Sequence, residues 1–209
     1  MSRWIVIWVV TIFGETAAAK ELRIVPRDGE TFAAAEIVLI EKAARLVMER
    51  MGGIAVTKCS YRNAWRGEPD EDYWGRAMGV FRRQSVLTIE VSRSQMARKM
   101  TAKATVSAGK IDERHDTWRK LAITFNEKRL AKSSHAKEGT EKFWAATIAH
   151  ELAHNMGLRH GSRGDWEDSY AGYFVTELGY CVMTNGLHGS DMGDVDLRRK
   201  REKRFDIKW

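Results

Sequence analysis

The chain has only two prolines and two cysteines among its 209 residues. So little cysteine excludes a disulfide-dense scaffold, and so little proline excludes collagen-like and proline-rich chains. After the first 19 residues, no apolar run is long enough to span a bilayer. What the chain does have is 44% hydrophobic residues, 10% aromatic residues and a net charge of +7. This composition excludes global disorder and indicates one folded domain, or one domain of two lobes, with a sizeable core.

The first 19 residues have the pattern of a secretory signal peptide. Arg3 provides a basic start, an apolar run follows over residues 4–13, and Ala17 and Ala19 have the A-x-A spacing of a cleavage site. We therefore expect cleavage after Ala19 and export of residues 20–209 to the extracellular space or a periplasm. The alternative is that residues 4–13 form a buried N-terminal strand.

Export changes the interpretation of Cys59 and Cys181. In an oxidising compartment these two residues can form one disulfide, and its formation would close a loop of more than 100 residues. The alternative is a pair of buried free thiols. The sequence favours the disulfide and leaves both possibilities open.

Hydrophobic periodicity predicts strands mixed with helices. Strands are expected over residues 22–25, 54–60, 85–91 and 121–126, and helices over 32–51 and 141–156. The polar stretch 61–75 is predicted to be a surface loop, and 95–110 is ambiguous between helix and loop. Thr140 is expected to cap the second helix and Gly157 to end it. This mixture indicates an α/β or α+β domain, with Gly157 as the boundary between lobes.

Specific chemistry is concentrated in residues 147–161, which contain His150, Glu151, His154, Gly157 and His160 in the order H-E-x-x-H-x-x-G-x-x-H. Histidines at i and i+4 share one helical face, so both imidazoles can reach one tetrahedral zinc. The glycine can adopt a positive φ and turn the chain, which lets the third histidine return to the metal. Three imidazoles leave one open coordination position, the arrangement of a catalytic site. Glu151 is placed to accept and relay a proton.

This string resembles the elongated zinc motif of the metzincin metallopeptidases, in which a Met-turn follows. The segment Cys181-Val182-Met183-Thr184 is similar to that turn, so Met183 would form a hydrophobic floor beneath the histidines. The amino-acid sequences of both segments are most similar to those of adamalysin (reprolysin) members, and next to those of matrixins. The resemblance implies one catalytic Zn²⁺ and a secreted zinc-dependent endopeptidase that acts on a protein or peptide substrate.

The resemblance also implies a layout, an α+β zincin fold. An N-terminal lobe over 20–157 would contain a twisted, mostly parallel sheet, a back helix and the active-site helix. A small irregular C-terminal lobe over 158–209 would end in a helix at 194–205. Residues 121–126 would be the antiparallel edge strand along which an extended substrate pairs its backbone.

Other functions stay open beside the peptidase. The segment 197–209 carries seven positive and two negative side chains, which suit either an anionic partner or a solvated helix face. One alternative is therefore a cationic binding protein that retains the zinc site, and another is a zinc amidase with a non-protein substrate. The presence of Glu151 favours an enzyme, because a binding protein has no use for a general base. We expect a monomer without a transmembrane segment.

Overall fold

The computed structural model describes residues 21–64, 67–84, 86–97, 100–104, 111–112, 117–118, 121–135, 139–159 and 173–187. The expected signal peptide, His160, and the basic C-terminal segment with its expected helix lie outside these residues. Within the described ranges the fold is α+β, with a mixed four-stranded sheet and six helices. None of the helices described is long and apolar enough to cross a membrane.

The strands are β1 (Glu21–Pro26), β2 (Val86–Ser94), β3 (Ala102–Ala104), β4 (Ile111–Asp112), β5 (Thr117–Trp118) and β6 (Leu121–Asn126). The main sheet has the order β1-β2-β6-β3, and β4 and β5 form a separate antiparallel pair. β1, β2 and β6 run parallel to one another. β3 runs antiparallel to β6, with Ala102 opposite Phe125 and Ala104 opposite Ile123. β3 is therefore the antiparallel edge strand of this sheet.

The helices are α1 (Ala34–Arg50), α2 (Ile54–Asn63), α3 (Glu71–Arg83), α4 (Glu127–Ser134), α5 (Thr140–Asn155) and α6 (Phe174–Met183). α5 lies at the centre of the fold, because it packs against α1, α6, β3 and β6. Its residues Trp144, Ile148 and Leu152 are fully buried at four-residue spacing, so they form one face of the helix within the core. The ring of Phe125 meets Trp144 edge-on, with the ring centroids 5.6 Å apart.

The segment predicted as a strand over 54–60 is wrong, because it forms helix α2. Its β-branched residues favour a strand by composition. Burial decides otherwise: Val56, Cys59 and Ser60 are buried at i, i+3 and i+4, whereas Ile54 is 70% exposed. That three-to-four-residue spacing belongs to a helix packed on one side.

The predicted loop over 61–75 is also wrong at both ends, since residues 61–63 belong to α2 and residues 71–75 begin α3. Asp70 caps this helix, and its carboxylate accepts hydrogen bonds from the backbone N–H groups of Asp72 and Tyr73. The inward face of α3 carries the buried residues Trp74 and Phe81, one of them in each half of the helix. Two glycines within α3 weaken the periodic signal in the sequence.

The prediction that residues 121–126 form the sheet edge is wrong, because β6 lies between β2 and β3. All six residues of β6 are buried, as expected of an interior strand. The edge position belongs to β3, in the stretch 95–110 that periodicity left ambiguous. The capping prediction also needs correction, since Gly139 occupies the N-cap position of α5 and Thr140 is the first helical residue.

Candidate active site

His150 and His154 lie one turn apart on α5, and their side chains converge. Their Nε2 atoms are 3.1 Å apart, and the ring planes make an angle of 82°. Two nitrogen ligands at about 2.0–2.1 Å from a tetrahedral zinc would be about 3.3–3.4 Å apart. The two imidazoles are therefore placed close to the separation that one metal ion requires.

The ring of His154 is held by the turn that follows the helix. Its Nδ1 atom lies 2.8 Å from the carbonyl oxygen of Leu158. A proton on Nδ1 that is donated to this carbonyl leaves the lone pair of Nε2 directed toward His150. Burial lowers the pKa of His154, although the bond to Leu158 opposes the shift. Burial thus favours the neutral ring and the bond to Leu158 orients it, and a neutral, oriented imidazole is the form that binds a metal.

Glu151 is the buried acid beside the histidines, with only 7% of its surface exposed. Its carboxylate accepts a hydrogen bond from the backbone N–H of Ala104, the last residue of β3. Without a cation beside it, burial raises the pKa of Glu151 to about 7, and the bond from Ala104 opposes this rise. A carboxyl group with such a pKa can both accept and return a proton near neutral pH.

Gly157 turns the chain at the end of α5, as its position in the motif predicts. Its φ is +91°, a left-handed conformation that favours glycine. The N–H of Gly157 donates to His154 O at 3.0 Å, and the N–H of Leu158 donates to Ala153 O at 3.1 Å. This pair of bonds is the Schellman motif, which closes a helix and redirects the chain.

The redirected chain is anchored by the segment around α3. The hydroxyl of Tyr73 donates a hydrogen bond to the carbonyl of Met156, the C-cap residue of α5. Gly67 lies close to the carbonyl of Arg159, which a Cβ at position 67 would approach to 3.4 Å. Arg159 directly precedes His160, and His160 itself lies outside the described residues.

Met183 is the last residue of α6, so the segment expected to form a turn is helical up to this residue. The turn itself follows over residues 184–186, where Asn185 has a φ of +53°. Arg50 holds the end of this helix, because its Nη1 atom donates to Val182 O and to Met183 O, each at 3.1 Å. A cation at a helix C-terminus also interacts favourably with the helix dipole.

The two cysteines join α6 to α2. The sulfur atoms of Cys59 and Cys181 are 2.02 Å apart and their Cα atoms 5.9 Å, so the described chain contains no free thiol. Close packing continues beyond this bond, since a Cβ on Gly186 would come within 2.9 Å of the backbone of Ala55. The residues on either side of Met183 are therefore fixed against the start and the middle of α2.

The edge strand β3 is held at its start by side chains at the junction of β6 and α4. The Nδ2 atom of Asn126 donates to Met100 O at 2.7 Å, and its backbone N–H donates to Thr101 O at 2.9 Å. Arg129 adds a bond to the hydroxyl of Thr101 at 2.9 Å. The strand that ends beside Glu151 is thus anchored at both ends.

Sequence reasoning missed four residues that arrange this site: Arg50, Tyr73, Ala104 and Asn155. Three of them act from distant parts of the chain or through the backbone, for which local sequence gives no signal. Asn155 did leave a signal, because a polar residue that follows His154 in a mostly apolar helix has to find buried partners.

The structure thus brings His150 and His154 together, buries Glu151 on the same helix, and places Met183 at the end of the neighbouring helix α6. Among the residues it describes, no group of three or more histidine, cysteine or acidic side chains could hold a metal ion, and the third expected ligand lies outside this part of the chain. In comparisons with known proteins, the chain matches no protein-family model, no curated protein and no solved structure.

Proposed function

We propose that this protein is a secreted zinc-dependent endopeptidase of metzincin type. The observation that carries the proposal is the convergence of His150 Nε2 and His154 Nε2 to 3.1 Å, with the buried carboxyl of Glu151 beside them on the same helix. The sequence beyond α5 supports it, because Gly157 turns the chain three residues before His160.

The donor set fits a zinc ion. His150 and His154 would supply two imidazole ligands, and His160 would supply the third. Zinc accepts such nitrogen ligands, and three of them leave one position open for chemistry. A zinc ion supplies Lewis acidity toward a carbonyl oxygen and toward water.

Glu151 would carry the proton during hydrolysis. Its carboxylate accepts a proton from the water that attacks the scissile carbonyl, and then returns that proton to the leaving amine. The N–H of Ala104 restricts the rotation of this carboxylate, which keeps the acceptor oxygen directed at the reacting atoms. The surrounding burial excludes bulk water and strengthens each of these interactions.

The edge of β3 would bind the substrate backbone. Among the strands that the structure describes, β3 pairs only with β6, and its other side would hydrogen-bond an extended peptide. The strand ends where its last residue contacts Glu151. A peptide aligned with β3 would therefore be delivered to the general base. The substrate edge that we propose is therefore β3, whereas the metzincin resemblance led us to expect it at residues 121–126.

The decisive experiment is cleavage of an unfolded protein by the full chain, expressed in a host that exports it and purified with stoichiometric zinc. The fragments are identified by mass spectrometry. Glu151→Gln is the matched control, because glutamine keeps the shape and the acceptor for Ala104 but cannot take up a proton. We expect the variant to be slower by about 10²–10⁴-fold, the usual contribution of a general base.

Two results would contradict the peptidase proposal. Zinc bound at full occupancy in a His154→Ala variant would remove that residue from the ligand set. If the zinc-loaded wild-type protein cleaves no polypeptide, it is either a zinc amidase or a cationic binding protein. Hydrolysis of non-peptide amides would then distinguish the amidase from the binding protein.

A further inference from the structure

Asn155 is a fully buried polar residue at the end of α5, next to His154. Its side chain makes three hydrogen bonds within the fold. Its Oδ1 accepts from the N–H of Ala122 at 3.0 Å, and its Nδ2 donates to the carbonyl of Ala122 at 3.1 Å. The same Nδ2 donates to the carbonyl of Glu151 at 2.9 Å. One side chain therefore binds both backbone groups of a strand residue and the backbone of the proposed general base.

These bonds lie next to the residues that β6 pairs with β3. β3 pairs with β6 from Phe125 to Ile123, and the next residue of β6 in that direction is Ala122. The carboxamide of Asn155 hydrogen-bonds both the N–H and the carbonyl of Ala122, as the backbone of a neighbouring strand would. Among the residues described, the pair next to Ala122 is that of Ala104 with Ile123.

The end of β3 is in turn connected to Glu151. The N–H of Ala104 donates to the carboxylate of Glu151, while Ala104 stands opposite Ile123, the neighbour of Ala122. Helix α5 is therefore connected to the sheet at two adjacent places. It bonds Ala122 of β6 directly, and it bonds Ala104 of β3, which pairs with the next residue of β6, Ile123. One connection runs through Asn155 and the other through Glu151, four residues earlier on the same helix.

We infer that Asn155 is a positioning residue, which fixes the carboxylate of Glu151 at the end of β3. This inference rests on the proposed peptidase function, because it explains how the general base Glu151 is aligned with β3, the strand that would bind the substrate. An apolar residue at position 155 would fill the same space but leave the two backbone groups of Ala122 without their partner. Helix α5 could then shift along the sheet, and reactions lose about 10²-fold in rate for a misplacement of about 1 Å.

The test compares Asn155→Ala with Ser92→Ala in the full chain. Ser92 is a matched control, because its buried hydroxyl pairs with Thr124 at 2.7 Å in the same sheet and bonds neither α5 nor β3. Amide exchange of Ala104 and Ala122 is measured by NMR, together with kcat, KM and zinc affinity. The variant Glu151→Ala supplies the reference for an Ala104 amide that has lost its acceptor.

In Asn155→Ala we expect faster exchange at both amides by about tenfold or more, as for locally opened segments. We expect kcat to fall by about 10–100-fold with KM and zinc affinity nearly unchanged. Ser92→Ala should lower stability without either effect. Exchange at the Ala104 amide is interpreted together with kcat, because Asn155 is connected to Ala104 both through Glu151 and through Ala122 and Ile123, and only the route through Glu151 should change kcat.

Unchanged exchange at Ala104, together with a kcat within twofold of the wild type, would overturn the inference and leave Asn155 a stabilising residue only. If Asn155→Ala does not fold, Asn155→Ser keeps a smaller polar group at the site and is measured in the same way. Wild-type protein that cleaves no peptide would refute the proposed function, and unchanged exchange at Ala104 would then be enough to overturn the inference.

Discussion

Helix α5 is held by different interactions on two sides. Toward the sheet, side chains of the helix form hydrogen bonds with the backbone at Ala122 and Ala104. Toward α6, contact depends on close packing, since a Cβ on Gly179 would lie 2.7 Å from Ala146 O. On that side, α6 is in turn joined to α2 by the disulfide.

The difference separates two tasks. Directional hydrogen bonds to a strand fix where each atom of the helix lies, and an error there misaligns Glu151. Close packing and a covalent link hold helices together over a larger area with less control of register. We therefore expect changes on the α6 side to alter mainly the free energy of unfolding, whereas changes on the sheet side alter mainly the reaction rate.

Of the changes on the α6 side, the largest loss in the free energy of unfolding should come from replacing both cysteines with alanine. Cys59 and Cys181 are 122 residues apart, and a cross-link across so long a loop stabilises by about 4–5 kcal/mol in the chain-entropy model. Urea unfolding of the double variant should show a loss of this size. Wild-type protein under reducing conditions is the control and should unfold at a similar concentration. A loss below about 1 kcal/mol would mean that the link contributes little.

A smaller effect is expected for Gly179→Ala. The added methyl group would press on the backbone of α5 at Ala146 and cost about 1–3 kcal/mol as an overpacked contact. Gly75→Ala is the matched control, because a Cβ on this α3 residue meets nothing within 4 Å. That control should stabilise the protein by about 0.5–1 kcal/mol through its helix propensity. Thermal unfolding of both variants checks the prediction, and shifts of the same sign would contradict it.

The smallest effect is expected for Arg50→Met, which removes the cation from the carbonyls of Val182 and Met183. Loss of these bonds and of the dipole interaction should cost about 1–2 kcal/mol. Arg82→Met is the control, because Arg82 donates to Gly52 O at the surface and to Met78 O within its own helix, and its replacement should change stability by less than about 0.5 kcal/mol. Equal losses in urea unfolding for the two variants would refute a special role of Arg50.

The parts of the site that could be predicted from sequence are those set by local spacing. His150 and His154 converge because residues four apart share a helical face, and Gly157 turns the chain because glycine tolerates a positive φ. Those features depend on neighbours in the chain. Local periodicity, apolar content and flanking turn residues likewise predicted α1, α5, β1, β2 and β6.

The rest depends on contacts between distant residues. Residues 54–60 have strand-like composition, but packing against α6 buries one helical face and so fixes a helix. The strand order could not be predicted, because the edge strand β3 is short and lies in a stretch without an apolar period. Its pairing with β6 involves Ala102 and Ala104, which give no strand signal in the sequence. The contact between Tyr73 and Met156 joins residues 83 positions apart, and no local pattern specifies it.

A chain with two cysteines permits a single intramolecular pairing, whereas four would permit three. Oxidation of the unfolded chain therefore cannot produce a scrambled monomer, and its incorrect products are dimers and larger species joined between molecules. The yield of native protein should accordingly depend on dilution rather than on a disulfide isomerase. Recovery from the reduced, denatured state is then limited by how often two distant segments of one chain meet before another chain intervenes.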